Sequence, residues 1–443
     1  VSKAHQTRQE ATYPPSVPVD LGDGLLLRAV RNAQDVERVA AFNAFVHHDE
    51  AVGVLTRWRL GDTHPTATLP DFLFVEDTKK GEIASTLGLI VQTWTYDGIP
   101  LPVGQVELVG TRRDYRGRGL IRAQMAVIER MLDPRGCMLS CIEGIPYFYR
   151  QFGYEYAIPL GSCANLLLDR VPALAEGQQE PVTIRQMNVD TDLNRVMALY
   201  DAHAAELCVV PVRDEALWRY QESPPSGLPE PSETYVVEDN EGVMGYFRVR
   251  KNMWGPLLEF TEASLRPGGQ VWGTQEAWLA VLRFAKGLAA QRSCPKLCFD
   301  LPKTHPLVTV ARYLGAECER QYAWQIRVVD PADFIRRIAP ALERRLAQSL
   351  VAGFSGNLNI NLMLRLIRLR FKQGRLTSVT DEGDPQDHWA MRLPPLLLNQ
   401  LLLGYRSYQE IMSCHLDASV RPVARQLVHI LFPKTESFIY SAI

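Results

Sequence analysis

The stretch Gln105-Val-Glu-Leu-Val-Gly-Thr-Arg-Arg-Asp-Tyr-Arg-Gly-Arg-Gly-Leu-Ile-Arg122 passes from an apolar strand into a basic, glycine-containing loop and then into an amphipathic helix. The strand covers residues 106–109 and the loop 112–119. The helix runs from Leu120 to about Leu132, with apolar Ile121, Met125, Ile128, Met131 and Leu132 on one side. Strand, glycine-rich loop and helix start together make an anion site. The first N–H groups of a helix have no partner within it, and the helix dipole favours negative charge there. Gly117 and Gly119 let the backbone come close to a phosphate. Arg116, Arg118 and Arg122 add charge and planar donors. The expected ligand is a pyrophosphate. Neither Gly-x4-Gly-Lys-Ser/Thr nor Gly-x-Gly-x-x-Gly occurs, so the loop is neither a P-loop nor a Rossmann fingerprint.

Outward from this segment the chain repeats itself. Residues 27–42 align without a gap on 184–199, matching Arg28 with Arg185, Asp35 with Asp192, Arg38 with Arg195 and Val39 with Val196. Both read as a short strand, a loop with a helix-capping acid and an amphipathic helix. Phe72-Leu-Phe-Val-Glu-Asp77 and Tyr235-Val-Val-Glu-Asp239 each open a strand–turn–strand hairpin. Matches in the same order point to a duplicated α/β unit, with a linker at residues 170–180 and the second copy ending near Gln325. Asp330-Pro331 then starts a helix running to about Leu350. Strands follow over 358–372 and 375–379, and helices over 396–403 and 407–412, a small α+β unit. Leu401-Leu-Leu-Gly-Tyr405 reads as core packing at a helix end.

Composition narrows the function classes. A formal charge of −2 from 48 basic and 50 acidic side chains excludes nucleic-acid binding by bulk charge. The spacing of Cys137/Cys141 and Cys294/Cys298 lacks a second ligand pair, so buried thiols are expected and no metal. Nothing reads as a disulfide framework, membrane span or signal peptide, so the expectation is a cytoplasmic protein without a membrane partner.

Tyr115-Arg-Gly-Arg-Gly-Leu resembles the pyrophosphate loop (Arg/Gln-x-x-Gly-x-Gly/Ala) of the GNAT acetyltransferase superfamily. Arg116 and Gly119 fill its first and fourth places, and Ile121 departs from the usual Gly or Ala. That departure is similar to the enhanced-intracellular-survival (Eis) type acetyltransferases. Tyr149-Arg-Gln-Phe-Gly-Tyr154 resembles the closing aromatic-glycine motif. The resemblance implies two tandem GNAT folds, each a mixed, mostly antiparallel sheet flanked by helices, then a small α+β domain like a sterol carrier protein. The corresponding segments are 1–170, 181–325 and 326–443, the second without the arginine–glycine loop and unable to bind acetyl-CoA.

The resemblance further implies an N-acetyltransferase using acetyl-CoA on a primary amine of a small molecule or peptide lysine. Val109, Gly110 and Thr111 would hold the acyl-pantetheine arm, and Arg116, Gly117, Arg118, Gly119, Leu120, Ile121 and Arg122 the pyrophosphate. Tyr149 would protonate the leaving thiolate, with Tyr147, four places after Glu143, as competitor. The base would be Glu107 or the terminal carboxylate of Ile443. Glu107 also reads as a solvent-facing strand residue, and Tyr149 as a packing aromatic. The acids and histidines at 47–50 border the region where acceptors bind, or end a solvated helix. The third domain would close the site or build a homo-oligomer. The alternative is a degenerate protein that binds CoA, a lipid or a partner without turnover.

Overall fold

A computed structural model describes residues 18–440 of the chain, apart from 62, 229–230, 252–254, 267–270, 320 and 384–388 and the side chains of 271–274. Contacts divide it into two compact units: Val1–Ala157 with Gln325–Lys434, and Ile158–Trp324 with Thr435–Ile443.

In the first unit β1 (Val19–Gly22) and β2 (Leu25–Ala29) lead into α1 (Ala33–His47) and α2 (Glu50–Arg59). Asn32 caps α1, accepting from the Asp35 N–H at 2.9 Å, and Asp35 accepts from the Arg31 N–H at 3.0 Å. The cap is therefore the asparagine, and the acid expected to cap closes the turn from inside the helix. Next come β3 (Phe72–Asp77), the long hairpin of β4 (Glu82–Tyr96) and β5 (Ile99–Thr111), α3 (Leu120–Leu132), β6 (Leu139–Ile142) and β7 (Glu155–Pro159). Helix α3 buries Leu120, Gln124, Met125, Val127, Ile128, Met131 and Leu132, a stripe at helical spacing laid on the sheet.

The second unit contains β8 (Ala164–Leu167), β9 (Thr183–Gln186), α4 (Val189–Ala204), β10 (Val209–Pro211) and α5 (Glu215–Gln221). It continues through β11 (Glu233–Asp239), β12 (Gly242–Lys251), β13 (Leu257–Leu265), α6 (Val271–Gln291), β14 (Lys296–Phe299), α7 (Pro306–Tyr313) and β15 (Glu317–Cys318). The next strand, β16 (Ala323–Val328), joins the first sheet.

The two sheets have the same plan. The first is ordered β1-β2-β3-β4-β5-β6-β16-β7, and the second reads β9-β11-β12-β13-β14-β8-β15. In each, one parallel pair follows the long antiparallel run: β5 with β6, and β13 with β14. An antiparallel strand then comes from elsewhere in the chain, β16 beside β6 and β8 beside β14. The repeat extends to side chains. Arg28 pairs in register with Phe74 and reaches Glu76 at 3.1 Å. Arg185 pairs with Val236 and reaches Glu238 at 2.7 Å and Asp192 at 2.6 Å. Arg28 and Arg185, two of the residues that aligned in sequence, thus each ion-pair with the glutamate of the matching hairpin motif, Glu76 and Glu238.

Residues 331–347 form two helices, α8 (Pro331–Arg337) and α9 (Ala339–Ala347), where the sequence predicts one. Asp330 caps the first as expected, accepting from the Asp333 N–H at 2.9 Å. Pro340 lies in the first turn of α9; it has no N–H to donate to the preceding turn, so the chain breaks at Ile338. Strands β17 (Gly356–Asn361), β18 (Leu366–Lys372), β19 (Arg375–Glu382), β20 (Met391–Arg392) and β21 (Ser419–Val420) form a five-stranded sheet in the order β19-β18-β17-β20-β21. Helices α10 (Leu397–Leu402), α11 (Tyr408–Cys414) and α12 (Arg425–Leu431) accompany it. Arginines of α8 and α9 hold the tip of the β4–β5 hairpin: Arg337 donates to the Pro100 carbonyl at 2.7 Å, Arg344 to that of Asp97 at 2.8 Å, and Arg345 to the Tyr96 hydroxyl at 3.0 Å.

Candidate active site

Strand β5 is where the first sheet opens. It pairs with β6 only at Val103–Leu139, Gly104–Ser140 and Gln105–Cys141, then runs alone on that side to Thr111. Its register with β4 shifts between Thr86 and Gly88, and Leu108 sits at φ 52° within the bulge. A leucine in the left-handed region costs on the order of 1–3 kcal/mol and persists only when neighbours enforce it. They do so here through buried hydroxyls. Thr86 Oγ1 lies 3.1 Å from the Leu108 carbonyl and 2.7 Å from Asn43 Oδ1, and Asn43 donates to Thr56 at 3.1 Å. Ser85 Oγ lies 2.9 Å from the Gly110 carbonyl. Val109, Gly110 and Thr111 therefore form the free edge of a strand fixed from behind.

From Thr111 the chain enters a 3-10 turn, Arg113–Tyr115, and the loop. Tyr115 anchors it: the ring is buried and its hydroxyl donates to Asp77 at 2.6 Å. Arg118 lies over that ring, 4.9 Å from its centre. Gly117 and Gly119 take φ of 80° and 78°, which an L side chain adopts only with strain. Gly119 is the N-cap of α3 and has no side chain to cap it, so the N–H groups of Leu120, Ile121 and Arg122 keep the free donors of a helix start. Arg116, Arg118 and Arg122 are exposed, and among the described residues no carboxylate pairs with any of them. Arg122 donates to Gln151 at 2.7 Å, tying the loop to the segment Phe148–Phe152.

Tyr149 lies in that segment, 4 % exposed, packed against Phe148, Phe152 and Tyr154. It belongs to the same core cluster as Val106, Tyr115 and Leu120, against which Val109 and Ile121 also pack. Gly144 lies flat against the ring; a Cβ there would stand 2.2 Å from Tyr149 Cε2. Among the described residues nothing hydrogen-bonds the Tyr149 hydroxyl. Burial, then the charge of Glu107, push its pKa well above the usual phenol value. Tyr147 differs: it is 72 % exposed at φ 68°, with Arg150 5.0 Å from its ring centre.

Glu107 is half-buried and engaged on both oxygens. Arg59 of α2 pairs with it at 2.6 Å, and Gln105 donates to its other oxygen. Gln105 in turn accepts from Gln92 at 2.5 Å, and Gln92 from Trp94 at 3.1 Å, a polar chain buried within the sheet. It is therefore not a solvent-facing strand residue, and the arginine 48 positions earlier was not legible as its partner. Asp49 caps α2 by accepting from the Ala51 N–H at 2.9 Å, while His47 is held below its ordinary pKa by burial. Ile443 lies outside the described residues, and the last described stretch, 435–440, packs in the second unit.

His64 follows α2. Burial and the charge of Arg59 lower its pKa to about 4, and its Nδ1 accepts from the N–H groups of Thr66 and Ala67 at 3.2 and 3.0 Å. Between about pH 6.5 and 4 the unfolded chain protonates this histidine and the folded one does not, so stability falls as pH falls. The expected slope from this group is about 1.4 kcal/mol per pH unit in that window. Urea unfolding of the first unit at pH 7, 6 and 5, beside His64→Gln, measures it; equal slopes in both proteins would remove the assignment.

The four paired cysteines are all buried, and burial pushes the Cys137 thiol to about 12. Among the described residues no three His, Cys, Asp or Glu side chains are grouped to hold a metal, and no helix is long and apolar enough to cross a membrane.

Residues 31–157 match a family model described as an acetyltransferase (GNAT) domain. No curated protein sequence matches the chain. Among solved structures, a GCN5-related N-acetyltransferase from Anabaena variabilis is similar over 94 % of this chain and 99 % of its own, at 15 % identity and TM-score 0.68. Eis1 from Mycobacterium abscessus is similar over the same shares at 15 % identity and TM-score 0.61. Saccharomyces cerevisiae N-myristoyltransferase with bound myristoyl-CoA is similar over 70 % of this chain and 84 % of its own, at 11 % identity and TM-score 0.53. Residues 31–157 thus carry an acetyltransferase-type GNAT domain, within a chain folded as these N-acyltransferases are.

Proposed function

We propose that the first unit transfers an acetyl group from acetyl-CoA to a primary amine of a small molecule or a peptide lysine. One observation carries the reading. The free edge of β5 leads through the 3-10 turn and the glycine loop into an uncapped helix start, and three arginines without ion-pair partners among the described residues surround that start. The edge at Val109, Gly110 and Thr111 offers backbone donors and acceptors to the amide-bearing pantetheine arm. The N–H groups at Gly117, Gly119, Leu120 and Ile121, with Arg116, Arg118 and Arg122, suit the pyrophosphate. The bound myristoyl-CoA named for the yeast relative supports an acyl-CoA donor.

In the reaction the amine nitrogen bonds to the thioester carbonyl carbon and the C–S bond breaks. Tyr149 delivers its phenolic proton to the departing sulfur. The proton shed by the amine goes to a carboxylate, either Glu107 or the terminal group of Ile443. Glu107 takes it only in competition with Arg59, so Arg59 tunes this step. The closing role assigned to residues 326–443, by their resemblance to a sterol carrier protein, is supported by Asn399 of α10, which donates to the Gly153 carbonyl at 3.2 Å, next to the Phe148–Phe152 segment. The arginines of α8 and α9 hold the far end of the β4–β5 hairpin.

Free-thiol release from acetyl-CoA, with aminoglycosides, polyamines, lysine peptides and arylamines as acceptors, tests the reading. Arg116→Ala and Arg118→Ala are each expected to raise KM for acetyl-CoA about tenfold with kcat little changed, as lost charge-assisted contacts common to ground and transition states. Binding without turnover for any amine would leave a CoA-binding protein. No binding of acetyl-CoA would overturn the site.

A further inference from the structure

The second sheet opens at the corresponding place. Strand β13 pairs with β14 from Leu257–Lys296 to Phe260–Phe299 and then runs on to Leu265 without a partner on that side, still paired with β12 on the other. A cavity of about 590 Å³ occupies this opening, between the end of β13 and helices α4, α6 and α7. That volume is in the range of small-molecule sites, about 300–1,000 Å³. Leu199, Leu265, Trp278 and Val310 supply an apolar lining.

The charges differ from those of the first unit. Arg266 is the arginine of the lining, and two carboxylates already hold it, Asp239 at 3.0 Å and Glu241 at 2.9 Å. From 267 to 282 the sequence has no lysine or arginine. Glu206 lies in the lining, and among the described residues no cation pairs with it. Glu436 accepts from the hydroxyl of Thr304, another lining residue. Lys303 is next to Thr304 in sequence and does not line the cavity. The two lining histidines add no charge at neutral pH: burial lowers both, His305 to about 3. His305 is fully used, its Nε2 on the Ala263 carbonyl at 3.0 Å and its Nδ1 accepting from the Leu307 N–H at 3.2 Å. His203 meets the Tyr440 hydroxyl through Nε2 at 2.8 Å, and its other ring nitrogen has no partner among the described residues.

We propose that this cavity binds a small organic cation, an amine with an apolar or aromatic body. The excess of carboxylate repels a phosphate or a fatty carboxylate and attracts an ammonium group. Trp278 takes the apolar body, and Tyr313, 84 % exposed, offers its ring face to the cation. His203 supplies one directional hydrogen bond. The duplicated fold thus keeps its opening and reverses its charge preference.

The site is independent of acetyl transfer, so its test needs no acyl-CoA. Calorimetric titration of the full chain at pH 7 and low salt compares three ligands with one body: 4-biphenylmethylamine, 4-biphenylmethanol and 4-biphenylcarboxylate. Affinity is expected to fall in that order, with about tenfold or more between the first and last. Two substitutions at exposed lining residues place the binding. Ala202→Trp fills the cavity and is expected to weaken the amine about tenfold or more, and Glu206→Gln to narrow the gap between amine and alcohol about threefold. A carboxylate that binds as tightly as the amine overturns the proposal. So does an amine affinity that Ala202→Trp leaves unchanged, which would place the amine elsewhere, including at the first unit. Absence of binding by all three ligands overturns it as well.

Discussion

Tyr149→Phe is expected to lower kcat for acetyl transfer by about 10²–10³-fold, within the range that positioned acids contribute, with KM for acetyl-CoA changing less than about threefold. The argument starts from the hydroxyl. It is carried by a ring 4 % exposed, and nothing among the described residues hydrogen-bonds it. The hydroxyl is nevertheless not one of the buried polar atoms left without a partner, so it keeps contact with solvent. Phenylalanine therefore removes no hydrogen bond within the protein, and the variant is expected to unfold within about 1 kcal/mol of the wild type. Burial and the neighbouring Glu107 raise the phenol pKa, so the proton is in place throughout the neutral range. The raised value also makes Tyr149 a weaker acid than a thiol of about 8.5, so transfer occurs only as negative charge builds on the sulfur. Gly144→Ala gives an independent check. Its Cβ would stand 2.2 Å from the ring and must displace it, so activity is expected to fall with the hydroxyl still present. Measured kcat and urea midpoints separate the roles. A stability loss without a loss of kcat makes Tyr149 a packing aromatic, and a kcat loss found only in Tyr147→Phe moves the acid to that residue.

The parts of this site that were legible in sequence are those whose chemistry is local. Glycines at 117 and 119 between arginines announce the loop, and the apolar spacing after Leu120 places α3 at Leu120–Leu132. The left-handed residue at the bulge is Leu108, a type that gives no such sign, and it is held by Thr86 and Asn43 from distant strands and helices. Arg59 reaches Glu107 across 48 positions, a distance over which composition says nothing. The break at Ile338 was partly legible, because Pro340 marks a helix start as well as a helix stop. Strands β8 and β16 are short and apolar, with nothing in either to say which sheet it joins. Only the pairing of β8 with β14 and β16 with β6 decides that. The shape of the loop in the first unit was therefore readable from sequence, whereas the support behind it was not.

Arg213→Met should produce the largest loss of stability in the second unit, about 3–5 kcal/mol, the usual cost of leaving one member of a buried ion pair alone. Arg213 has no exposed side-chain surface, and it grips Glu262, 2 % exposed, through two bonds of 2.7 and 2.6 Å. Its guanidinium lies 3.8 Å from the centre of the Trp218 ring and 4.0 Å from that of Tyr200. Arg248 holds the same carboxylate at 3.1 Å and Glu222 at 3.1 Å, so two arginines balance two glutamates. Without Arg213 one buried negative charge is uncompensated. Burial acts to raise the Glu262 pKa, and in the intact cluster Arg213 and Arg248 overcome it and leave the carboxyl below its ordinary value. Wild-type stability from this group is thus present above the unfolded pKa of about 4.3 and is lost as pH falls through the lower folded value. In Arg213→Met burial prevails and the folded pKa rises, so the variant gains stability as pH falls toward 4.3. Adding Glu262→Gln removes the orphaned charge, and the double variant should lose less than Arg213→Met alone. Hydrogen exchange over residues 199–265, at pH 5 and 7, reads the second unit directly. A single variant that loses under about 1 kcal/mol, with wild-type pH dependence, would mean that the cluster is solvated in solution.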